Sequence, residues 1–183
     1  LRLLLFWSMF VPLGPGPART SLGLHCLRGQ VALMYACAAL SKSGAEWWGE
    51  CSAVHLALQL DLIATPAGIA LRDAPPALLC AATRTTLVIE LLAAPLLLYP
   101  RTRVMALAVL LPLHASFGVF LRLGTFPLVS AIALLPFLPP RRAEAAAESR
   151  SALPAAAGMA VMVAIVLPLT CARHAPFVRA WWT

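Results

Sequence analysis

The chain has 183 residues, 61% of them apolar and only 11% charged, with a net charge of +7 and a mean hydropathy of +0.86. A soluble domain keeps roughly 25% charged residues to cover its surface, so most of this surface must face something other than water. The basic residues stand singly at the ends of apolar runs, with no basic stripe and no interleaved aromatics, which argues against a nucleic-acid partner and for the lipid bilayer.

The apolar runs are rich in Leu and Ala and lack the alternation of a β-barrel. A helix crossing a bilayer needs about 20 mostly apolar residues, and its backbone groups must be satisfied within the segment. The expected fold is therefore all-α, a polytopic transmembrane helical bundle with about six spans plus one interfacial or re-entrant helix.

The first run, Leu1 to Val11, is too short to cross a bilayer and is closed by PLGPGPARTS, whose prolines and glycines cannot continue a helix. No small-residue cleavage site follows it, so it is expected to be the remainder of a helix whose beginning is lost. Gln30 to Leu40 is a modest second run, followed by the polar stretch SKSGAEWWGE from Ser41. Cys51 to Leu71 carries His55, Gln59 and Asp61 and is broken at Pro66, which predicts an interfacial or re-entrant helix. Ala77 to Tyr99 is a full-length span containing Arg84 and Glu90, and Val104 to Leu121 is another, with His114 inside. Gly124 to Pro139 is short and bounded by prolines, Arg141 to Ser151 is a polar loop, and Leu153 to Ala172 is the last span. The division is a transmembrane domain over 1–172 and a short interfacial tail over 173–183, with Trp181 and Trp182 as belt residues.

If Cys51 to Leu71 does not span, the loops around Arg19 and Arg28, Arg101 and Arg103, and Arg141 to Arg150 share one side. By a small margin in Arg and Lys that side is cytoplasmic. The SKSGAEWWGE loop, with acids at Glu46, Glu50, Asp61 and Asp73, is then extracytoplasmic. The five cysteines (Cys26, Cys37, Cys51, Cys80, Cys171) show no CxxC and no paired spacing. They read as small apolar residues, with neither a metal site nor a disulfide framework expected.

Lys42 is the one lysine among fourteen basic residues. A composition that uses Arg wherever a plain positive charge suffices suggests that guanidinium would fail at this position. Lysine, unlike arginine, gives up its proton when buried and so can serve as a general base. A snorkelling lysine at a helix end explains it equally well. Glu90 and His114 lie mid-span, where an ionisable group is costly and usually faces a bundle interior. Each can relay a proton or orient a substrate, and each can equally be an interhelical hydrogen bond that fixes packing, the favoured explanation for Glu90 by itself. Tyr35, Trp47 and Trp48 are candidates to line a pocket for a flat apolar ligand, against interfacial anchoring of the two tryptophans. Walker, GxGxxG, HExxH and GxSxG motifs are missing, which removes the usual soluble enzyme classes.

The stretch RGQVALMYACAALSKSGAEWWGE, Arg28 to Glu50, carries LRGQ at Leu27 to Gln30, then Tyr35, Lys42, Glu46, Trp47 and Gly49. Downstream follow ELLAAPLLLYPRTR from Glu90 and LHASFGVFLRLGTFPLVSAIALLPF from Leu113, with its Gly124–Thr125–Phe126 turn. In this order the segments resemble the membrane domain of the vitamin K-dependent γ-carboxylase and its bacterial relatives, the HTTM (horizontally transferred transmembrane) domain proteins, over roughly 1–139. The resemblance implies a bacterial inner-membrane protein with Lys42 as the base that deprotonates a reduced quinone such as reduced vitamin K, in a lyase or quinol epoxidase type of chemistry. Three departures stand against carboxylation itself. Ser41 replaces the first lysine of the carboxylase's pair, PLGPGPARTS carries no matching histidine, and Arg173 to Thr183 are too few for the large lumenal domain.

Two functions follow. One is a membrane enzyme acting on a quinone-like or other lipid-soluble substrate, with Lys42 as base and His114 and Glu90 shaping the site. The other is a non-catalytic scaffold that binds another membrane or extracytoplasmic protein through its small-residue-rich helices. A transporter would show corresponding broken helices in an internal repeat, and no repeat is present.

Overall fold

A computed structural model of the chain describes residues 22–138, with Leu5 and Met9 ahead of them. Seven helices follow in order: α1 (Leu22–Ser41), α2 (Ala45–Trp48), α3 (Ala53–Gln59), α4 (Pro66–Leu71), α5 (Pro76–Leu98), α6 (Arg103–Phe120) and α7 (Phe126–Ala133), then a 3₁₀ turn, Leu135–Phe137. Among the described residues there is no strand, only an isolated antiparallel bridge between Ala64 and Leu121.

Prolines set several of the helix starts. Pro66, Pro76 and Pro127 each stand in the first turn of a helix, where a missing N–H costs nothing because that donor has no intrahelical acceptor. Pro66 therefore opens α4 rather than simply breaking a longer helix. Thr65 caps it, its hydroxyl oxygen accepting from the Gly68 amide at 3.1 Å and its hydroxyl donating to the Val119 carbonyl at 2.6 Å. Gly68 packs so close to the Phe120 carbonyl that a Cβ has no room. These contacts tie α4 to the end of α6.

Helices α5 and α6 form a tight antiparallel pair. Thr102 donates to the Leu96 carbonyl at 2.8 Å and Arg103 to the Leu97 carbonyl at 3.1 Å, satisfying acceptors that the end of α5 leaves open. Arg28 of α1 donates in the same way to the Pro136 carbonyl at 2.7 Å, locking the start of α1 to the turn after α7. The core around them comprises Val31, Leu97, Leu110, Leu134 and Phe137, all nearly inaccessible. Since Val31 packs near the end of α5 while Lys42 reaches Glu90 at its middle, α1 runs opposite to α5.

The outward faces of α5 and α6 are apolar as well: Val88, Leu91 and Leu92 on one, Val104, Met105 and Leu111 on the other are exposed. A helix that is hydrophobic on every side, with its outer side uncovered, is built for lipid. These two helices are long and apolar enough to cross a membrane. The expected count of about six spans is not reached among the described residues. Helix α1 has 20 residues but carries His25, Arg28 and Gln30, and the apolar stretch Phe126–Phe137 is shorter than a span. Most of the Leu1 to Val11 run, the Arg141 to Ser151 loop, the Leu153 to Ala172 span and the 173–183 tail lie outside the described residues.

The expected interfacial element over Cys51 to Leu71 is two short helices, α3 and α4, separated by a turn at 60–65. The acids gather at one end of the bundle. The connections 42–53, 60–65, 72–75 and 121–125 share that end and hold Glu46, Glu50, Asp61 and Asp73 together with Lys42, Arg72 and Arg122, with Arg72 paired to Asp61 at 2.8 Å. Arg28, Arg101 and Arg103 belong to the other.

Candidate functional site between α1, α5 and α6

Lys42 follows the last residue of α1 and folds back along it, its amine donating to the Ala38 carbonyl at 3.2 Å. The same amine forms an ion pair with the carboxylate of Glu90, at the middle of α5. Their side chains are only 17% and 9% exposed, so neither is a surface anchor. Trp47 sets its ring 5.2 Å from the Lys42 amine, a distance at which an aromatic face stabilises a cation. Trp48 donates its indole N–H to the Lys42 carbonyl at 2.7 Å, while its ring is more than half exposed.

Two helical turns before Lys42, hence on a similar face of α1, Tyr35 hydrogen-bonds through its hydroxyl to Nε2 of His114 on α6, at 2.7 Å. The Glu90 carboxylate lies within electrostatic reach of the Tyr35 phenol. Lys42, Glu90, Tyr35 and His114 thus form a run of acid–base groups across three helices. His114 is flanked edge-on by Phe117 and Phe126, at 5.8 Å and 5.7 Å between ring centroids. Its Nδ1 is buried and meets no hydrogen-bonding group among the described residues. Buried polar atoms almost always find a partner, so this atom is open to an oxygen or nitrogen from beyond the described residues.

The six residues singled out by sequence fall into two contact groups. Lys42, Glu90, Trp47 and Trp48 form one, and Tyr35 and His114 the other, with the Glu90–Tyr35 interaction between them. Arg84 and Glu90 do not pair: Arg84 points its Nε at Cys51 Sγ, 3.2 Å away.

The cysteine expectation is overturned. Cys51 and Cys80 form a disulfide, with Cα atoms 4.9 Å apart, whereas Cys26 and Cys37 are free thiols; Cys171 lies outside the described residues. A separation of 29 residues gave no spacing signal. What joins the two is topology: the chain leaves α1, turns through α2 and passes the first turns of α5, where Val54 donates its amide to Thr83 Oγ1 at 3.1 Å. No local signal marks the pair: Cys51 follows the polar stretch 41–50, whereas Cys80 sits in the first turns of α5. Among the described residues no three His, Cys, Asp or Glu side chains gather as metal ligands.

A lipid-facing helical bundle that keeps an ion pair and a Tyr–His hydrogen bond between its helices is an all-helical membrane protein with an internal polar site. The family model for the HTTM domain matches residues 20–141, which include every residue of that site. The chain belongs to the HTTM domain family. No curated protein and no solved structure matches it.

Proposed function

We propose that the chain is a membrane-embedded enzyme of the bacterial inner membrane in which Lys42 acts as a base on a lipid-soluble, quinol-like substrate. The observation that carries this reading is the Lys42–Glu90 pair, shielded from water and placed beside the Tyr35–His114 hydrogen bond. At rest the proton sits on nitrogen, opposite the carboxylate. Glu90 takes that proton, and the free amine then accepts one from a substrate hydroxyl, leaving ammonium, neutral acid and substrate anion with no net change in charge. Trp47 covers the amine, and the open Nδ1 of His114 offers a hydrogen bond to a second polar atom of a flat ring lodged against Phe117 and Phe126. Reduced vitamin K or another quinol fits that chemistry: an apolar ring with oxygens at opposite ends.

The test is turnover of reduced quinols by the full chain in nanodiscs, followed by chromatography of substrate and product. Lys42→Arg keeps the positive charge but cannot give up its proton, and is expected to lower turnover about 100-fold or more while leaving quinol binding in place. A second reading has its own support, because an ion pair between α1 and α5 also locks those helices together. On that reading the chain is a scaffold for another membrane or extracytoplasmic protein, and Lys42→Arg is silent in turnover and harmful only to assembly. Failure to bind or convert any quinol would sink the enzyme reading.

A further inference from the structure

The segment 42–54 crosses over the Lys42–Glu90 pair on its way from α1 to α3, yet packing does little to hold it there. Helix α2 within it has no buried residue, and Trp48 is 55% exposed. Among residues 42–54, Cys51 alone is buried. Its polar ties to the rest of the bundle are the Lys42–Glu90 ion pair at its start, Arg84 Nε against Cys51 Sγ at 3.2 Å and the Val54–Thr83 bond at its far end; the Trp48–Lys42 hydrogen bond lies within the segment itself. Cys51 also stands at φ +61°, a left-handed backbone that is unfavourable for a residue with a Cβ. Cys51 is thus a buried, strained residue in an otherwise loosely packed segment, and its covalent tie to the bundle is the bond to Cys80.

We propose that the Cys51–Cys80 disulfide is a redox-operated clasp on the Lys42–Glu90 site. Oxidised, it holds the 42–54 segment and its Trp47 ring over the Lys42 amine; reduced, it lets the segment lift away. The reductant is a dithiol: two electrons and two protons pass from it to the S–S bond, giving two cysteine thiols and the donor's own disulfide. Persistence of the closed form calls for an oxidising compartment. That places this end of the bundle, with Glu46, Glu50, Asp61 and Asp73, outside the cytoplasm, and the turn at 99–103 inside. Relief of the left-handed strain at Cys51 favours opening once the bond is broken, so release needs no ligand.

This inference takes the Lys42 site from the functional reading above, but its test does not depend on turnover. Lys42 is the one lysine in the chain, so an amine-reactive label followed by peptide mapping reports on it directly. The full chain in nanodiscs is labelled before and after treatment with a water-soluble dithiol, alongside the Cys51→Ser/Cys80→Ser variant. Reduction is expected to speed labelling of Lys42 about five-fold or more, as local opening exposes protected groups. The double variant labels at the fast rate with or without reductant, and Trp fluorescence shifts in parallel. Equal rates in oxidised and reduced protein overturn the clasp. So does a reduced protein whose α5 and α6 amides lose hydrogen-exchange protection, since the bond then supports the whole fold. A redox-dependent rate in a protein whose Lys42→Arg variant keeps full turnover preserves the clasp and removes the base.

Discussion

Truncating either partner of the Lys42–Glu90 pair has unequal consequences that the structure sets in advance. Lys42→Met strands a carboxylate whose side chain is 9% exposed, with no second cation paired to it among the described residues. Removing one member of a buried pair costs about 3–5 kcal/mol, and here the upper part of that range applies. Glu90→Gln leaves the amine with the Ala38 carbonyl at 3.2 Å, the Trp47 ring at 5.2 Å and the larger exposure, 17%. Its cost is accordingly smaller, about 2 kcal/mol. The double variant Lys42→Met/Glu90→Gln removes both charges, and the cycle closes with a coupling of about 1–3 kcal/mol. Fraction folded against denaturing detergent in mixed micelles, followed by far-UV circular dichroism, measures all four proteins on one scale. Additive single effects would refute the pairing. A reversed order, with Glu90→Gln the more damaging, would refute the burial argument, because it would place the amine in the drier environment.

Gly68→Ala pushes a Cβ into the Phe120 carbonyl, backbone that cannot rotate aside, and is expected to lower stability by about 2 kcal/mol in the same detergent titration; a neutral result would mean that α4 and the end of α6 are not in contact. Tyr35→Phe removes the hydroxyl that meets His114 Nε2 and leaves both ring nitrogens of a buried histidine without a partner, a loss of about 1–3 kcal/mol that His114→Phe made on top of it is expected to recover in part.

The two helices long and apolar enough to span were legible because their apolar runs are long: Ala77 to Tyr99 and Val104 to Leu121 differ from α5 and α6 by one residue at each end. Helix α1 was read from Gln30 but begins at Leu22. Its first turns carry His25 and Arg28, and the apolar pattern gave no reason to expect the Arg28 side chain to end on a carbonyl of Pro136. The 51–71 segment reads as non-spanning from its sequence, but Pro66, which the pattern marks as a break, is a helix start with a capping threonine. At the site, the oddity of a single lysine draws attention to Lys42 without deciding between a buried base and a snorkelling anchor; its side chain is 17% exposed. Its partner was not legible, since Lys42 and Glu90 lie 48 positions apart and only the antiparallel packing of α1 on α5 brings them together. The same holds for Tyr35 with His114 and for Cys51 with Cys80. Sequence reveals which residues are out of place in an apolar helix; tertiary packing decides which of them meet.

How the buried polar groups are satisfied separates structural residues from candidates for chemistry. Arg28 reaches the Pro136 carbonyl and Arg103 the Leu97 carbonyl, and Thr83 returns its hydroxyl to the Leu79 carbonyl at 3.0 Å. Each of these donors satisfies a main-chain acceptor, as a hydrocarbon-facing fold requires. A guanidinium bound this way keeps its proton and its position throughout. Lys42, Glu90, Tyr35 and His114 are different, because each meets another titratable side chain, and every donor among them can become an acceptor by moving one proton. Packing alone does not ask for that: an apolar pair of similar size would fill the same space between α1 and α5 at no cost in desolvation. The buried arginines Arg28 and Arg103 spend a donor on a main-chain carbonyl, whereas the one lysine of the chain meets a carboxylate between α1 and α5, where its proton can move.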